Sequence, residues 1–266
     1  MRVILSRKGF DSSCGCMPSP IMPDGTLLSL PIPSNDDITY SCITWQGKSY
    51  LEIIHELNPK TAITHAHHCH LDPDLRTEVY HRKEEWMPAF GQTGASLTEL
   101  HENGVGVGDL FLFFGWFKET EYKNGKLAFK SKSRDLHVIY GYMQIGNIIQ
   151  SYKDVPVWML YHPHTGAKYD NIWARGLNAI FTPSPNLSFN KSLPGAGLFK
   201  FDKRYVLTKE GYSRSRWEFP EQMKGTPITH NPRGWKDDYF QSAARGQEFT
   251  MEATENVMYW VNHLFC

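Results

Sequence analysis

The chain has no excess of charge of either sign: 28 Lys and Arg stand against 28 Asp and Glu. Coating of nucleic acid through bulk positive charge is thereby excluded, although a local basic face is not. There is no C-x-x-C pair, and the five cysteines (Cys14, Cys16, Cys42, Cys69 and Cys266) are an odd number. That argues against a disulfide framework or a cysteine-rich zinc knuckle and makes a reducing, cytoplasmic compartment the expectation. Long apolar runs are missing too. Leu110 to Phe117 is interrupted by Gly115 and covers less than half a membrane span, and Val3 to Leu5 is too short for a signal peptide, so no membrane partner is expected. Neither G-x-x-x-x-G-K-[ST] nor G-x-G-x-x-G occurs, which leaves ATP-loop and dinucleotide-fold functions without support.

What is present is apolar and aromatic. Of 266 residues, 41% are hydrophobic and 14% aromatic, enough for a sizeable core and better suited to a β-rich or mixed core than to a helical bundle. Arg2 to Leu5 reads as a buried first strand. Pro18, Pro20, Pro23, Pro31 and Pro33 forbid a helix in the next stretch, which Ile21, Leu27, Leu28, Leu30 and Ile32 mark as ordered loop and edge segments. Leu51, Ile54 and Leu57, with Pro59 behind them, predict a helix over Ser49 to Asn58, and Gly104 ends a second one over Ala95 to Asn103. Asp109 to Phe117, His137 to Ile145, Val155 to Tyr161 and Phe199 to Leu207 read as strands. The stripe Val257, Trp260, Val261 and Leu264 predicts a closing helix over Glu252 to Leu264. The expectation is an α+β fold: one mixed domain over residues 1–266, with a central, largely antiparallel β-sheet or partial barrel and a few peripheral helices.

Charge is distributed unevenly. Residues 72–122 hold ten acids against four bases, and residues 200–236 hold nine bases against four acids. The second segment interleaves Phe201, Tyr205, Tyr212, Trp217 and Trp235. Phosphates want cations and bases want flat faces, so Arg204, Arg214, Arg216 and Lys224 are candidates for an anion-facing surface, with Arg214 and Arg216 as substrate contacts. The competing reading is a salt-bridged surface over an aromatic core.

The densest chemistry is His65-Ala-His-His-Cys-His-Leu-Asp-Pro-Asp74. Imidazole and carboxylate are the usual ligands of borderline and hard divalent cations such as Fe, Zn or Mn. In extended backbone His70 and Asp72 project from one side, and Pro73 biases Asp72 that way. A distant third ligand would come from His162 or His164, with Asp74 and His68 orienting the ligands and Arg175 available for a dicarboxylate cosubstrate. The alternative is a polar loop whose histidines only cap and hydrogen-bond. Directly after the first strand, Ser6 to Ser13 offers Arg7 and Lys8 as a phosphate cradle and Asp11 as base or ligand. Its competing reading is a turn anchored by Asp and Ser side chains.

Several blocks resemble a known family: Ser6 to Ser13, Pro18 to Gly25, Ser29 to Pro33, His70 to Asp74, Gly108 to Phe117, His137 to Tyr142, His162 to His164, Pro194 to Phe199 and Gly246 to Phe249. On these the chain resembles the third of the nucleotide modification associated domains, a bacterial and phage family. The resemblance implies the company of other enzymes in a base-modification system, a context and not a mechanism. Cys14-Gly15-Cys16 departs from it, standing where small residues are expected. Gly108-Asp-Leu and Tyr140-Gly-Tyr142 are also similar in rhythm to small barrel modules that read modified bases.

Two expectations follow. The first is an enzyme acting on a nucleotide or DNA base, with a divalent metal on His70, Asp72 and His162 or His164, phosphate on Arg7 and Lys8, and Asp11, His70 and Asp72 at the reacting centre. The second is a non-catalytic reader that binds modified DNA through an aromatic pocket.

Overall fold

The first strand shows why the chain folds as it does. In a computed structural model describing residues 1–243 and 247–266, Arg2–Arg7 forms a strand whose side chains alternate. Val3 and Leu5 pack on one side of the sheet and Ile4 on the other, all fully buried. The long strand Leu110–Lys123 repeats the pattern, with Leu110, Leu112 and Phe114 on the first side and Phe111, Phe113 and Phe117 on the second. A run of apolar residues without polar alternation is what burial on both faces requires.

Among the described residues these strands belong to a nine-stranded sheet. Its path runs Glu248–Glu252, Arg2–Arg7, Leu110–Lys123, Leu136–Ile149, Asn178–Pro183, Phe90–Thr93. Arg2–Arg7 pairs parallel to Leu110–Lys123, as does the short Ser19–Ile21 further along it, while the other pairings are antiparallel. The sheet curls into a half-barrel, and the fold is α+β.

Among the described residues four α-helices flank it. Helix α1, Tyr50–Leu57, begins with a reciprocal capping box between Ser49 and Glu52, which satisfies two otherwise orphaned amides. Helix α2, Gly94–Glu102, lays Leu97 and Leu100 against the second side of the sheet. Helix α3, Asp170–Ala174, is a short turn, and α4, Glu255–Leu264, is capped by Thr254 and buries Val257, Trp260, Val261 and Leu264 on the first side.

Two expected strands are absent. Val155 to Tyr161 forms tight turns around a 3-10 segment, Val157–Met159, with Val157 and Leu160 exposed and Met159 buried. Pro156 has no amide to give a ladder, and the apolar residues do not alternate in burial. Phe199 to Leu207 pairs at its two ends and not in between: the Phe199 amide bonds the Tyr140 carbonyl and the Phe201 amide that of Gly25, and the Leu207 amide bonds the His137 carbonyl. Asp202 then caps a 3-10 turn, Lys203–Tyr205, by accepting the Arg204 amide, so a side chain outcompetes the ladder. Gly246 lies outside the described residues.

Candidate functional site

His70 and Asp72 meet through a turn rather than an extended strand. The strand His68–Cys69 ends at His70, whose amide bonds the Ile32 carbonyl, and the Asp72 amide then closes onto the His70 carbonyl at 2.8 Å. His164 arrives from a separate 3-10 turn, Pro163–Thr165. One ligand atom from each of His70, Asp72 and His164 lies within 4.8 Å of the others. His70 Nε2 stands 3.9 Å and His164 Nε2 4.0 Å from Asp72 Oδ2. A tetrahedral cation with bonds of about 2.1 Å separates its ligands by about 3.4 Å, so each imidazole would have to close on the carboxylate by about half an ångström.

Each side chain of the cluster is held from behind. His70 Nδ1 donates to Asp36 Oδ2 at 2.8 Å, and Lys168 clamps the other oxygen of Asp36 at 2.6 Å. His164 Nδ1 donates to Asn178 Oδ1 at 2.7 Å, while the same amide gives its Nδ2 proton to the His164 carbonyl at 3.0 Å, which fixes its orientation. Tyr169 stacks on the His164 ring, nearly parallel, with centroids 4.9 Å apart. Asp72 Oδ1 accepts the Gly91 amide at 2.7 Å. A Cβ on Gly91 would lie 2.3 Å from His164 Cδ2, so glycine is what lets the imidazole lie against the edge strand.

With Nδ1 donating on both rings, each turns its Nε2 toward the Asp72 carboxylate, so two imidazole nitrogens and a carboxylate oxygen converge. Burial pushes the His164 imidazole down to about 3, against the pull of Asp72, so it stays neutral. Burial works to raise the Asp72 carboxyl, but contact with His162 and the positive charge that the neighbouring imidazoles carry when protonated outweigh it and bring it to about 2.

His162 takes a different place from His164. Its Nδ1 accepts the His164 amide at 3.3 Å, which leaves Nε2 as the N–H side, 3.2 Å from Asp72 Oδ1 and poorly aligned for a full hydrogen bond. It therefore orients the carboxylate. Asp74 does not touch the ligands: Arg82 grips it with two nitrogens at 2.6 and 2.7 Å, and Tyr161 donates to it at 2.7 Å. This buried knot ties the His70 and His164 segments together. His68 stands apart, its Nδ1 buried without a hydrogen bond among the described residues. His65 is exposed. Arg175 is an exposed residue closing α3.

A cleft of about 520 Å³ opens onto the cluster, lined by His70, Asp72 and His164 together with Arg7, Lys8 and Asp11. Lys8 is committed within it: its Nζ pairs at 2.9 Å with Glu248, a fully buried carboxylate that Gln92 also contacts at 2.6 Å. Asp11 Oδ1 accepts the amides of Ser13 and Cys14, both at 2.7 Å, and so anchors its own loop. Burial raises the Cys14 thiol, the opposite of what an activated nucleophile needs. A second cleft of about 710 Å³ shares Arg7, Asp11 and Ser13 and continues to Trp116 and Arg214.

The basic segment divides. Arg214 faces this second cleft, its guanidinium carbon 4.0 Å from the Trp116 ring centre and a nitrogen on Ser12 Oγ. Arg204 pairs with Asp202, Lys224 with Glu221 and the Asp237 carbonyl, and Arg216 rests over Tyr212 and Tyr239. For those three the salt-bridged, ring-packed surface describes the structure.

Sequence reasoning missed Asp36, Asn178 and Gly91. Asp36 and Asn178 carry no spacing signal, being 34 and 14 residues from the imidazoles they hold.

Together these features define an α+β half-barrel with a His–Asp–His cluster, able to hold a metal ion, at the floor of a cleft beside its edge strand. Among the described residues no helix is long and apolar enough to cross a membrane. The model of nucleotide modification associated domain 3 matches residues 2–252, nearly the whole chain, and the protein belongs to that family. Its association is with nucleotide modification. No curated protein and no solved structure matches the chain.

Proposed function

We propose that the protein is a metal-dependent enzyme acting on a nucleotide or nucleic-acid base, with the metal held by His70, Asp72 and His164. The observation that carries this reading is the convergence of the Nε2 atoms of two imidazoles and a carboxylate oxygen within 4.8 Å of one another. Such a set suits Zn, Fe(II) or Mn, two imidazoles and one carboxylate leaving coordination positions open to the cleft. A metal there would polarise substrate or activate water or oxygen. Arg7 at the junction of the two clefts takes phosphate, Lys8 with Glu248 sets the charge of the wall beside it, and Asp11 faces the reacting centre. His162, Asp36 and Asn178 hold the ligands in place.

The test is metal content after loading with Zn, Fe(II) or Mn and exhaustive desalting. The wild type and His65→Ala should retain one equivalent, and His70→Ala none. Retention by His70→Ala, or refusal of all three metals by the wild type, overturns the reading. A reader module draws on one observation, the Trp116–Arg214 stack in the second cleft, and metal-free protein that binds modified DNA would favour it.

A further inference from the structure

Trp116, Arg214 and His137 have no part in the metal chemistry, yet they converge. Trp116 and His137 are cross-strand partners on Leu110–Lys123 and Leu136–Ile149, and both line the second cleft. Asp135 accepts the Trp116 indole N–H at 2.8 Å and so fixes the ring plane. The Arg214 guanidinium carbon stands 4.0 Å over the centre of that ring, and this pair of indole and guanidinium forms a shelf, since nucleobases stack on both kinds of surface. His137 Nδ1 accepts the Trp217 indole N–H at 3.0 Å. Because tryptophan can only donate, the proton of the neutral imidazole sits on Nε2. The cleft thus gathers Arg7, Arg134, Arg214 and an imidazole donor, with hydroxyls from four serines, against Asp11 and Asp135.

The two clefts, about 520 and 710 Å³, adjoin at Arg7, Asp11 and Ser13, and each is of the size that holds one small ligand. A free mononucleotide would fill one and leave the other empty. Resting on the proposed function above, we infer that the substrate is a single-stranded stretch of nucleic acid spanning both clefts. One base lies at the His–Asp–His cluster and a neighbouring base on the Trp116–Arg214 shelf, with the phosphate between them at Arg7.

The test is competition in EDTA against a fluorescein-labelled, mixed-sequence single-stranded deoxyoligonucleotide. The unlabelled strand should compete at least about tenfold better than any of the four deoxynucleoside monophosphates or the matching duplex. Trp116→Ala should weaken strand binding by about 5- to 100-fold, the loss of one stacked base, and leave monophosphate binding unchanged, while Trp116→Phe restores most of it. Arg214→Gln should flatten the salt dependence. Monophosphates or duplex competing equally, Trp116→Ala weakening both ligands alike, or folded protein binding no strand would each overturn the inference. Metal content of the same preparations separates the two readings: one equivalent of metal without strand binding refutes this one alone.

Discussion

Replacing Gly91 by Ala adds one methyl group at the point where the edge strand meets the candidate metal cluster. The new carbon would lie 2.3 Å from His164 Cδ2, 2.4 Å from Cγ and 2.7 Å from Nε2, about 1 Å inside ordinary contact. The backbone offers no relief, because it runs in a strand paired to Asn178–Pro183 and its amide is bound to Asp72. The imidazole must therefore move by about 1 Å, which breaks its 2.7 Å bond to Asn178 and its stack on Tyr169. Metal sites tolerate errors of about 0.2 Å in ligand placement, and losing a supporting contact alone costs about 10- to 100-fold in affinity. Metal affinity should fall by at least that factor, with a stability cost of about 1–3 kcal/mol for overpacking. Co(II) titration followed by its visible bands reads the first and urea unfolding the second. Gly106→Ala is the control, since nothing stands within 4 Å of a Cβ there. A Gly91→Ala protein that binds Co(II) as the wild type does would remove His164 from the site.

Acid should unfold the protein in two overlapping stages. The His164 imidazole is held down at about 3, so below its ordinary value near 6.5 the unfolded chain takes up a proton that the folded one refuses, and stability falls as pH drops toward 3. The depressed Asp72 carboxyl adds stability above its ordinary value near 3.8 that is lost as pH falls through about 2, on the order of 2 kcal/mol. In metal-free urea titrations His164→Gln should flatten the curve between about pH 6.5 and 4, and an unchanged slope there would show that His164 is not buried neutral. Arg82→Met strips both guanidinium contacts from the fully buried Asp74 and should cost about 3–5 kcal/mol by denaturation, with Asp74→Asn recovering part of it in the double variant. A single-variant loss below about 1 kcal/mol would dismiss the knot as a structural tie.

The sheet was legible wherever burial on both faces left an uninterrupted apolar run. Leu110–Lys123 covers the strand expected over Asp109 to Phe117 but for its first residue, and Leu136–Ile149 contains the one expected over His137 to Ile145. Ser49 and Gly104 mark helix ends within a residue or so of where they fall, whereas the closing helix expected from Glu252 begins at Glu255. Failure came where a single polar or ring constraint outweighed composition. Val155 to Tyr161 has strand-like residues, but Pro156 interrupts it and the chain turns. Phe199 to Leu207 is aromatic and β-branched, but one Asp202 carboxylate captures the backbone. Ser19–Ile21 was hidden in the opposite way, as a short pairing on the outer half of a long strand inside a stretch full of proline.

The site was legible only as far as chemistry concentrates in sequence. His70 and Asp72 stand out because they share a dense run, and His164 because His162-Pro-His164 repeats the residue type. What holds them does not cluster. Asp36 reaches His70 because Pro33–Thr39 pairs with His68–Cys69 through an irregular register, and Asn178 reaches His164 across a turn and a helix. His70 and Asp72 are the expected pair, but the structure joins them by other means than an extended backbone. Alternation along an extended strand would aim both side chains outward from one face, toward whatever lay above. The turn closed by the Asp72 amide instead folds the carboxylate back under the imidazole, where the Gly91 amide and His162 fix one oxygen and leave the other facing the Nε2 atoms of His70 and His164. A strand would have left the third ligand unspecified. The turn brings that oxygen to His70 and also to the ring that lies against Gly91, and the ring in that place is His164.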